Sequence, residues 1–249
     1  MYIIGKASKE EVFIVMKAFL KKHMKMRWLL LAYVPLHFFI YIFLNQMEVG
    51  SYHAMHCVVD NYIPFSEWFV LPYLLWYIYV VWGVAVMFKQ ERKLFVPFAI
   101  YFFGGMASAL ILFAVYPTGV YFRPQASDLT GNPFLVWCVR LIYEADFPVN
   151  VCPSLHCYNS IAVTAGLWNV EYVKKHPWCR GAFVLLSVAI CYSTMAIKQH
   201  SFVDFVAAVV MFIVLFTLGN LICRGRFSQE TSQCRYPSAG ARKYPSPER

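Results

Sequence analysis

Six apolar runs divide the chain, at residues 28–44, 68–88, 94–116, 154–170, 181–197 and 205–222. Each is close to the roughly 17–25 residues that an α-helix needs to cross a bilayer core. The pattern predicts an all-α membrane protein built as a bundle of six transmembrane helices. The fourth run is diluted by Asn159, Ser160, Thr164 and Asn169, which suits a span packed inside the bundle and lining a site. A further run, 133–143, is too short to span and carries Arg140. Asn132 as cap and Pro133 in the first turn predict a short interfacial helix there.

Three segments follow from the same pattern. Residues 1–27 alternate lysines with Val12, Phe13, Val15, Met16, Phe19 and Leu20, as in a helix lying on a membrane surface. Residues 28–223 form the six-span domain. Residues 224–249, rich in Ser, Pro, Arg and Gln, read as a disordered basic tail. The first apolar run follows a basic segment without a small-residue cleavage pattern, so it reads as a retained anchor.

Composition agrees with this picture. The chain is 60% hydrophobic and 14% charged, against about 25% charged in soluble domains. The net charge of +9 could point to nucleic acid, but its distribution points to a membrane. Nineteen of the 22 lysines and arginines fall in residues 1–27, 89–93, 174–180 and after Cys223. The remaining three, Arg123, Arg140 and Lys198, fall in the alternate connections. The positive-inside rule then places both termini in the cytoplasm. The expected partners are membrane lipids, whose anionic headgroups meet the basic faces, and not nucleic acid. The expected location is the cell membrane.

The polar motifs gather at the opposite, non-cytoplasmic level. Arg123-Pro124 follows the third run, Pro153-Ser154-Leu155-His156 opens the fourth, and Lys198 to Asp204 joins the last two. Arg123 can grip two phosphate oxygens through its planar fork. Ser154 starts a helix whose free N–H groups favour an anion. His200 and Asp204, at i and i+4, can pair so that one imidazole nitrogen is free to attack phosphorus. The same spacing also suits a plain helix N-terminus with an acid in its first turn. His156 can protonate a departing alkoxide and later take a proton from water.

These residues resemble the type 2 phosphatidic acid phosphatase superfamily of integral membrane lipid phosphatases and phosphotransferases. Its signatures are Lys-x6-Arg-Pro, Pro-Ser-x-His and Ser-Arg-x5-His-x3-Asp. Arg123-Pro124 fits the first, Pro153 to His156 the second, and Ser193, His200 and Asp204 the third. The resemblance implies His200 as a nucleophile that forms a phosphohistidine, Asp204 as its orienter and His156 as general acid. Arg123, Ser154 and Ser193 would bind the phosphate. Two family cations are replaced, by Tyr116 and Thr194, and Lys198 is the residue expected to stand in for one. Its Lys-Gln-His context resembles the branch that includes inositol phosphorylceramide synthases.

The expected activity is therefore hydrolysis of a lipid phosphomonoester or diphosphate, a phospholipid or isoprenoid phosphate, without cofactor or metal. Head-group transfer to an alcohol is the alternative, and a non-catalytic lipid-binding or transport protein is the second. Smaller signals stay open at this point. His53, His56 and Cys57 could clip a metal or sit in a polar loop. Cys152 and Cys157 could pair or simply pack at the site's wall. Arg140 and Glu144, at i and i+4, suit a structural ion pair.

Overall fold

The computed structural model describes residues 9–47 and 50–235, with side chains for 27–47 and 50–224. The chain is mostly helical, 75%. In order come α1 (Lys9–Gln46), β1 (His53–Ala54), α2 (Val58–Tyr62), α3 (Val70–Phe88), α4 (Arg92–Val115) and β2 (Thr118–Gly119). Then follow α5 (Pro133–Ala145), α6 (Leu155–Leu167), α7 (Glu171–Lys175), α8 (Trp178–Ala196) and α9 (Phe202–Arg235). Five stretches are long and apolar enough to cross a membrane: Arg27–Gln46, Glu67–Phe88, Arg92–Val115, Trp178–Ala196 and Phe202–Arg224. They leave side chains such as Leu29, Phe39, Ile78, Val81 and Leu185 exposed. Such an apolar outer surface suits a multi-pass membrane protein, with backbone polar groups satisfied inside each helix.

The expected fourth span differs. α6 has 13 residues, about 20 Å at 1.5 Å per residue, short of a core of about 30 Å. It starts where Ser154 Oγ accepts from Cys157 N at 3.4 Å and gives way to α7 soon after Leu167. It is the central post of the bundle, packed against α3, α4, α8 and α9. Cys157, Tyr158, Ala162, Val163 and Leu167 are wholly buried. Two of its hydroxyls bond within the helix: Ser160 Oγ donates to His156 O at 2.7 Å and Thr164 Oγ1 to Ser160 O at 2.9 Å. Surrounded by protein, this helix needs no lipid-facing stripe, which is why its sequence could carry so much polarity.

Two glycines set how closely its neighbours approach. A Cβ on Gly83 would collide with Val163 Cγ1, and one on Gly105 with the Tyr158 ring. Small residues of this kind let membrane helices approach backbone to backbone. Tyr158 then reaches past Gly105 and donates to Tyr101 O at 2.6 Å.

Helices run across two of the expected segment boundaries. No break separates residues 9–27 from the first span, because α1 is continuous from Lys9 to Gln46; residues 1–8 lie outside the described residues. At the other end α9 runs through Cys223 to Arg235, so the expected disorder of 224–249 does not begin at 224. The part of that expectation covering 236–249 lies outside the described residues. The short helix at 133–143 forms as α5, with Asn132 Oδ1 accepting from Phe134 N and Leu135 N at 3.1 and 3.3 Å and Pro133 in the first turn.

The loops at one end of the bundle are stitched together. β1 pairs in parallel with β2, His53 opposite Thr118 and Ala54 opposite Gly119. Thr118 Oγ1 accepts from Val151 N and Cys152 N at 3.1 and 3.0 Å. Ser66 N donates to Ala196 O at 3.1 Å, joining the loop before α3 to the end of α8.

Candidate functional site

The α8–α9 turn is the centre of this end. α8 stops because Lys198 takes a left-handed φ of 59°, which costs a residue with a Cβ about 1–2 kcal/mol. The N–H groups of Gln199 and His200 then turn back onto Thr194 O at 2.9 and 3.1 Å. Thr194, which stands where the resembled family has an arginine, thus fixes His200 through its carbonyl. Its hydroxyl donates to Cys191 O at 2.8 Å.

His200 precedes α9 rather than riding on it. Its Nδ1 meets Asp204 Oδ2 at 3.3 Å, and the same oxygen accepts from Ser201 N at 2.9 Å. Ser201 Oγ accepts in turn from Val203 N at 3.2 Å. Ser201 and Asp204 therefore form a reciprocal cap of the capping-box kind. The two sequence readings of this motif are one device: the acid in the helix's first turn is also the group that orients the imidazole. Burial opposes charge on His200, but the hydrogen bond to Asp204 and its negative charge outweigh it and raise the pKa above the ordinary 6.5.

His156, at the start of α6, faces His200 with ring centroids 5.6 Å apart. Tyr73 and Trp76 of α3 hold its ring, at 4.6 and 4.2 Å between centroids. Its Nε2 is buried without a hydrogen-bond partner among the described residues. Ser154 N donates to Asp204 O at 3.2 Å, tying the start of α6 to the first turn of α9. That bond keeps the two histidines in register.

Both histidines line a cavity of about 260 Å³ bounded by α1, α3, α6 and the loop 145–153. The other expected site residues stand behind its wall. Asp204 is wholly buried, and Ser154 caps α6. Ser193 donates Oγ to Ile190 O at 2.6 Å, a bond internal to α8, so its hydroxyl is engaged away from the cavity. Arg123 lies one layer back, donating Nη1 to Asp146 O at 3.0 Å with its guanidinium over the Tyr143 ring at 4.5 Å. Its Nε and Nη2 are buried and unpartnered among the described residues. Burial pulls its pKa down from the ordinary 12.5, yet a guanidinium stays charged.

The Lys198 ammonium, expected to stand in for a missing cation, is directed away from the cavity. Its Nζ donates to Asp60 O at 3.0 Å and to Ile63 O, the carbonyl end of α2, where the helix dipole favours a positive charge. Tyr116, which stands at the other family cation position, stacks on His53 at 4.0 Å between centroids.

The smaller signals resolve. Cys57, Cys138, Cys152 and Cys157 are free thiols. Cys152 sits beside Asp204; burial first, and then that negative charge, push its thiol up to about 12. Arg140 donates Nε to Ala126 O at 2.8 Å rather than pairing with Glu144. Among the described residues no group of three or more His, Cys, Asp or Glu stands close enough to hold a metal.

Two acids that the motif pattern did not single out belong to the site. Asp60 accepts from Ser201 Oγ at 2.6 Å, Phe202 N at 2.8 Å and Cys57 N at 2.8 Å. These bonds outweigh the opposing effect of burial and lower its pKa from the ordinary 3.8. Asp146 lines the cavity and accepts from Tyr41 Oη at 2.9 Å and Tyr73 Oη at 3.3 Å. Neither lies in a recognisable motif. In comparisons with known proteins, the chain matches no family model, no curated protein and no solved structure.

Proposed function

We propose that the protein is a membrane-embedded phosphoric-ester enzyme that works on a lipid phosphate through a phosphohistidine at His200. The observation that carries the reading is the pair of histidines at one cavity wall. One is oriented by Asp204 through Nδ1 at 3.3 Å, and the other presents an unpartnered Nε2. His200 Nε2 attacks phosphorus while the bond to the lipid oxygen breaks. His156 gives its Nε2 proton to that oxygen. A water then returns a proton to His156 as its oxygen bonds phosphorus and the N–P bond breaks, releasing phosphate and free His200. Arg123 offsets the charge that develops on the phosphoryl oxygens, and the apolar wall from α1 admits the acyl or prenyl chain.

In this reading α6 is a short sixth membrane segment sheathed by the others. The basic segments face the cytoplasm together with both termini, and the cavity faces the other side. The chemistry needs no metal, since side chains supply acid, base and cation.

Head-group transfer to a hydroxyl is a second reading, favoured by Asp146. A phosphomonoester brings up to two negative charges to a site that already holds Asp146 and Asp204 and from which Lys198 is withdrawn. A phosphodiester brings one. Transfer follows the same steps with an alcohol in place of water.

The test is direct. Purified protein in detergent, offered lipid phosphates and phosphodiesters labelled at phosphorus, forms an acid-labile, base-stable phosphoenzyme in the wild type and none in His200→Ala. Absence of any such adduct or phosphate release across the panel removes the proposal.

A further inference from the structure

A second hollow lies at the end of α6 away from His156. α8 packs chiefly on α6 and α3, and α9 on α4 and α6, so these two consecutive helices leave a gap over α6. The gap is a groove of about 400 Å³, a size common among small-molecule sites. Ile161 and Ala165 of α6, Trp168 just beyond it, Val184 and Val188 of α8 and Phe216 of α9 line it. Val184 and Val188 are exposed, so the groove opens on the outer face of the bundle, which in a multi-pass membrane protein meets lipid.

At one end of the groove stands a cation without a counter-ion. The Arg180 guanidinium lies over the Trp168 ring at 4.9 Å, and its Nη2 donates to Trp168 O at 3.3 Å. Its Nε is buried without a hydrogen-bond partner among the described residues. Glu171, the nearest acid in the sequence, pairs with Lys175 at 3.4 Å, and no described carboxylate pairs with Arg180. Arg180 also sits in the first turn of α8, where the helix dipole favours negative charge and disfavours a cation. An anion bound there reverses that cost. Trp168, Tyr172 and Trp178 are all exposed around it, the aromatic pattern of a membrane–water interface. Lipid phosphates lie at that level.

We propose that this groove holds one acyl chain of an anionic phospholipid whose phosphate rests on Arg180. The chain covers the apolar lining, and the phosphate oxygens meet the planar guanidinium, for which they are well-matched acceptors. A phosphatidylcholine brings the same phosphate but adds a cation beside Arg180 and the exposed Lys174. A helix from a second copy fits less well. Close helix approach in a membrane uses small residues, whereas the rim carries Val184, Val188 and Phe216, and Leu185 stands four positions after Gly181. The bound lipid acts on the fold through α6. Trp168 N closes the end of that helix on Thr164 O at 3.2 Å, and Arg180 holds the Trp168 carbonyl. A lipid that fixes Arg180 therefore braces the helix whose first turn carries His156. The proposal does not rest on the phosphohistidine reading.

The experiment locates the chain. Delipidated protein in detergent is titrated with phosphatidylglycerol and phosphatidylcholine carrying brominated acyl chains, and tryptophan fluorescence is followed. Bromine quenches an indole only at close range, so the signal reports a chain beside a tryptophan. Phosphatidylglycerol is expected to show a phase of quenching at least about tenfold tighter than phosphatidylcholine, and that phase is expected to vanish in Trp168→Phe. Arg180→Gln is expected to bring phosphatidylglycerol down to the affinity of phosphatidylcholine, and Arg180→Lys to keep part of the preference. Should Arg180→Gln not fold, Ala165→Phe fills the floor of the groove without touching a charge and is expected to abolish the tighter phase. Lys93→Gln, the same change of charge at the start of α4, is expected to leave it unchanged. Equal affinity for the two lipids, or an equal loss in Lys93→Gln, overturns the proposal, because a diffuse basic surface would then hold the lipid. A tighter phase that survives in Trp168→Phe overturns it too. Delipidated protein that elutes as a dimer, becomes monomeric in Ala165→Phe and shows no tighter phase would assign the groove to a second copy and equally overturn it.

Discussion

Ser201 Oγ donates to Asp60 Oδ2 at 2.6 Å, across 141 positions of sequence. The bond joins a five-residue surface helix to the residue that follows the proposed nucleophile. Phe202 N on Asp60 Oδ1 and Lys198 Nζ on Asp60 O make it a three-point clasp. The α8–α9 turn is thus held from outside the bundle as well as by Asp204 from within.

Asp60→Ala should lower thermal stability in detergent by an amount in the range of about 1–3 kcal/mol, because Ser201 Oγ and Phe202 N lose a buried partner. Turnover should fall as well, since the clasp sets the position of His200. Because the pKa of Asp60 is lowered by folding, its contribution is present above the ordinary 3.8 and lost as pH falls through the folded value. Unchanged unfolding temperature and turnover in Asp60→Ala would show the clasp to be idle.

Lys198→Ala separates the clasp from phosphate binding. With Nζ on two backbone carbonyls, its loss should lower the unfolding temperature and leave KM for the lipid nearly as it was. A large rise in KM without loss of stability would mean that the ammonium serves the phosphate after all. Arg123→Ala should behave in the opposite sense, weakening substrate and vanadate binding more than stability.

The pH profile reports the His200–Asp204 pair. A nucleophilic imidazole must be neutral, so activity falls as pH drops through the pKa of His200. That pKa is raised above 6.5, and the acid limb of kcat/KM should lie above that value. Asp204→Asn removes the charge that raises it, so the limb should move to lower pH while the plateau rate drops. A limb that stays in place in Asp204→Asn would assign the titration to another group.

His156 is separable from His200 by leaving group. General acid–base catalysis contributes about 10²–10⁴-fold, so His156→Ala should retain slow turnover of lipid substrates. With p-nitrophenyl phosphate, whose leaving group departs without a proton, the first step should recover and phosphoenzyme should accumulate. Rapid-quench detection of adduct in His200→Ala but not in His156→Ala would invert the two roles.

Chelation tests the metal-free chemistry. Activity should survive excess EDTA and be blocked by vanadate, which mimics five-coordinate phosphorus. Activity lost in chelator and restored by one divalent ion would show that a metal takes part.

Much of the architecture was legible in the order of residues because hydrophobic run length and charge asymmetry are local quantities. Five spans, the Asn132–Pro133 start of α5 and the pairing of His200 with Asp204 could all be read without tertiary information. The polar residues of the fourth run placed it inside the bundle, but the apolar run length could not show that α6 ends after 13 residues. Its close packing is tertiary: Gly83 and Gly105 let α3 and α4 close around it, and Thr164 finds Tyr79 at 2.7 Å. Lys198 sits two residues from His200 in sequence, yet the left-handed turn sends its ammonium to α2. Asp60, in α2, and Asp146, at the end of α5, reach the site through hydrogen bonds that no spacing rule encodes. The sequence by itself determined which groups could do chemistry at this end of the bundle. Tertiary structure decided which of them share a cavity, because a side chain's direction depends on backbone turns and partners fixed only when distant segments meet.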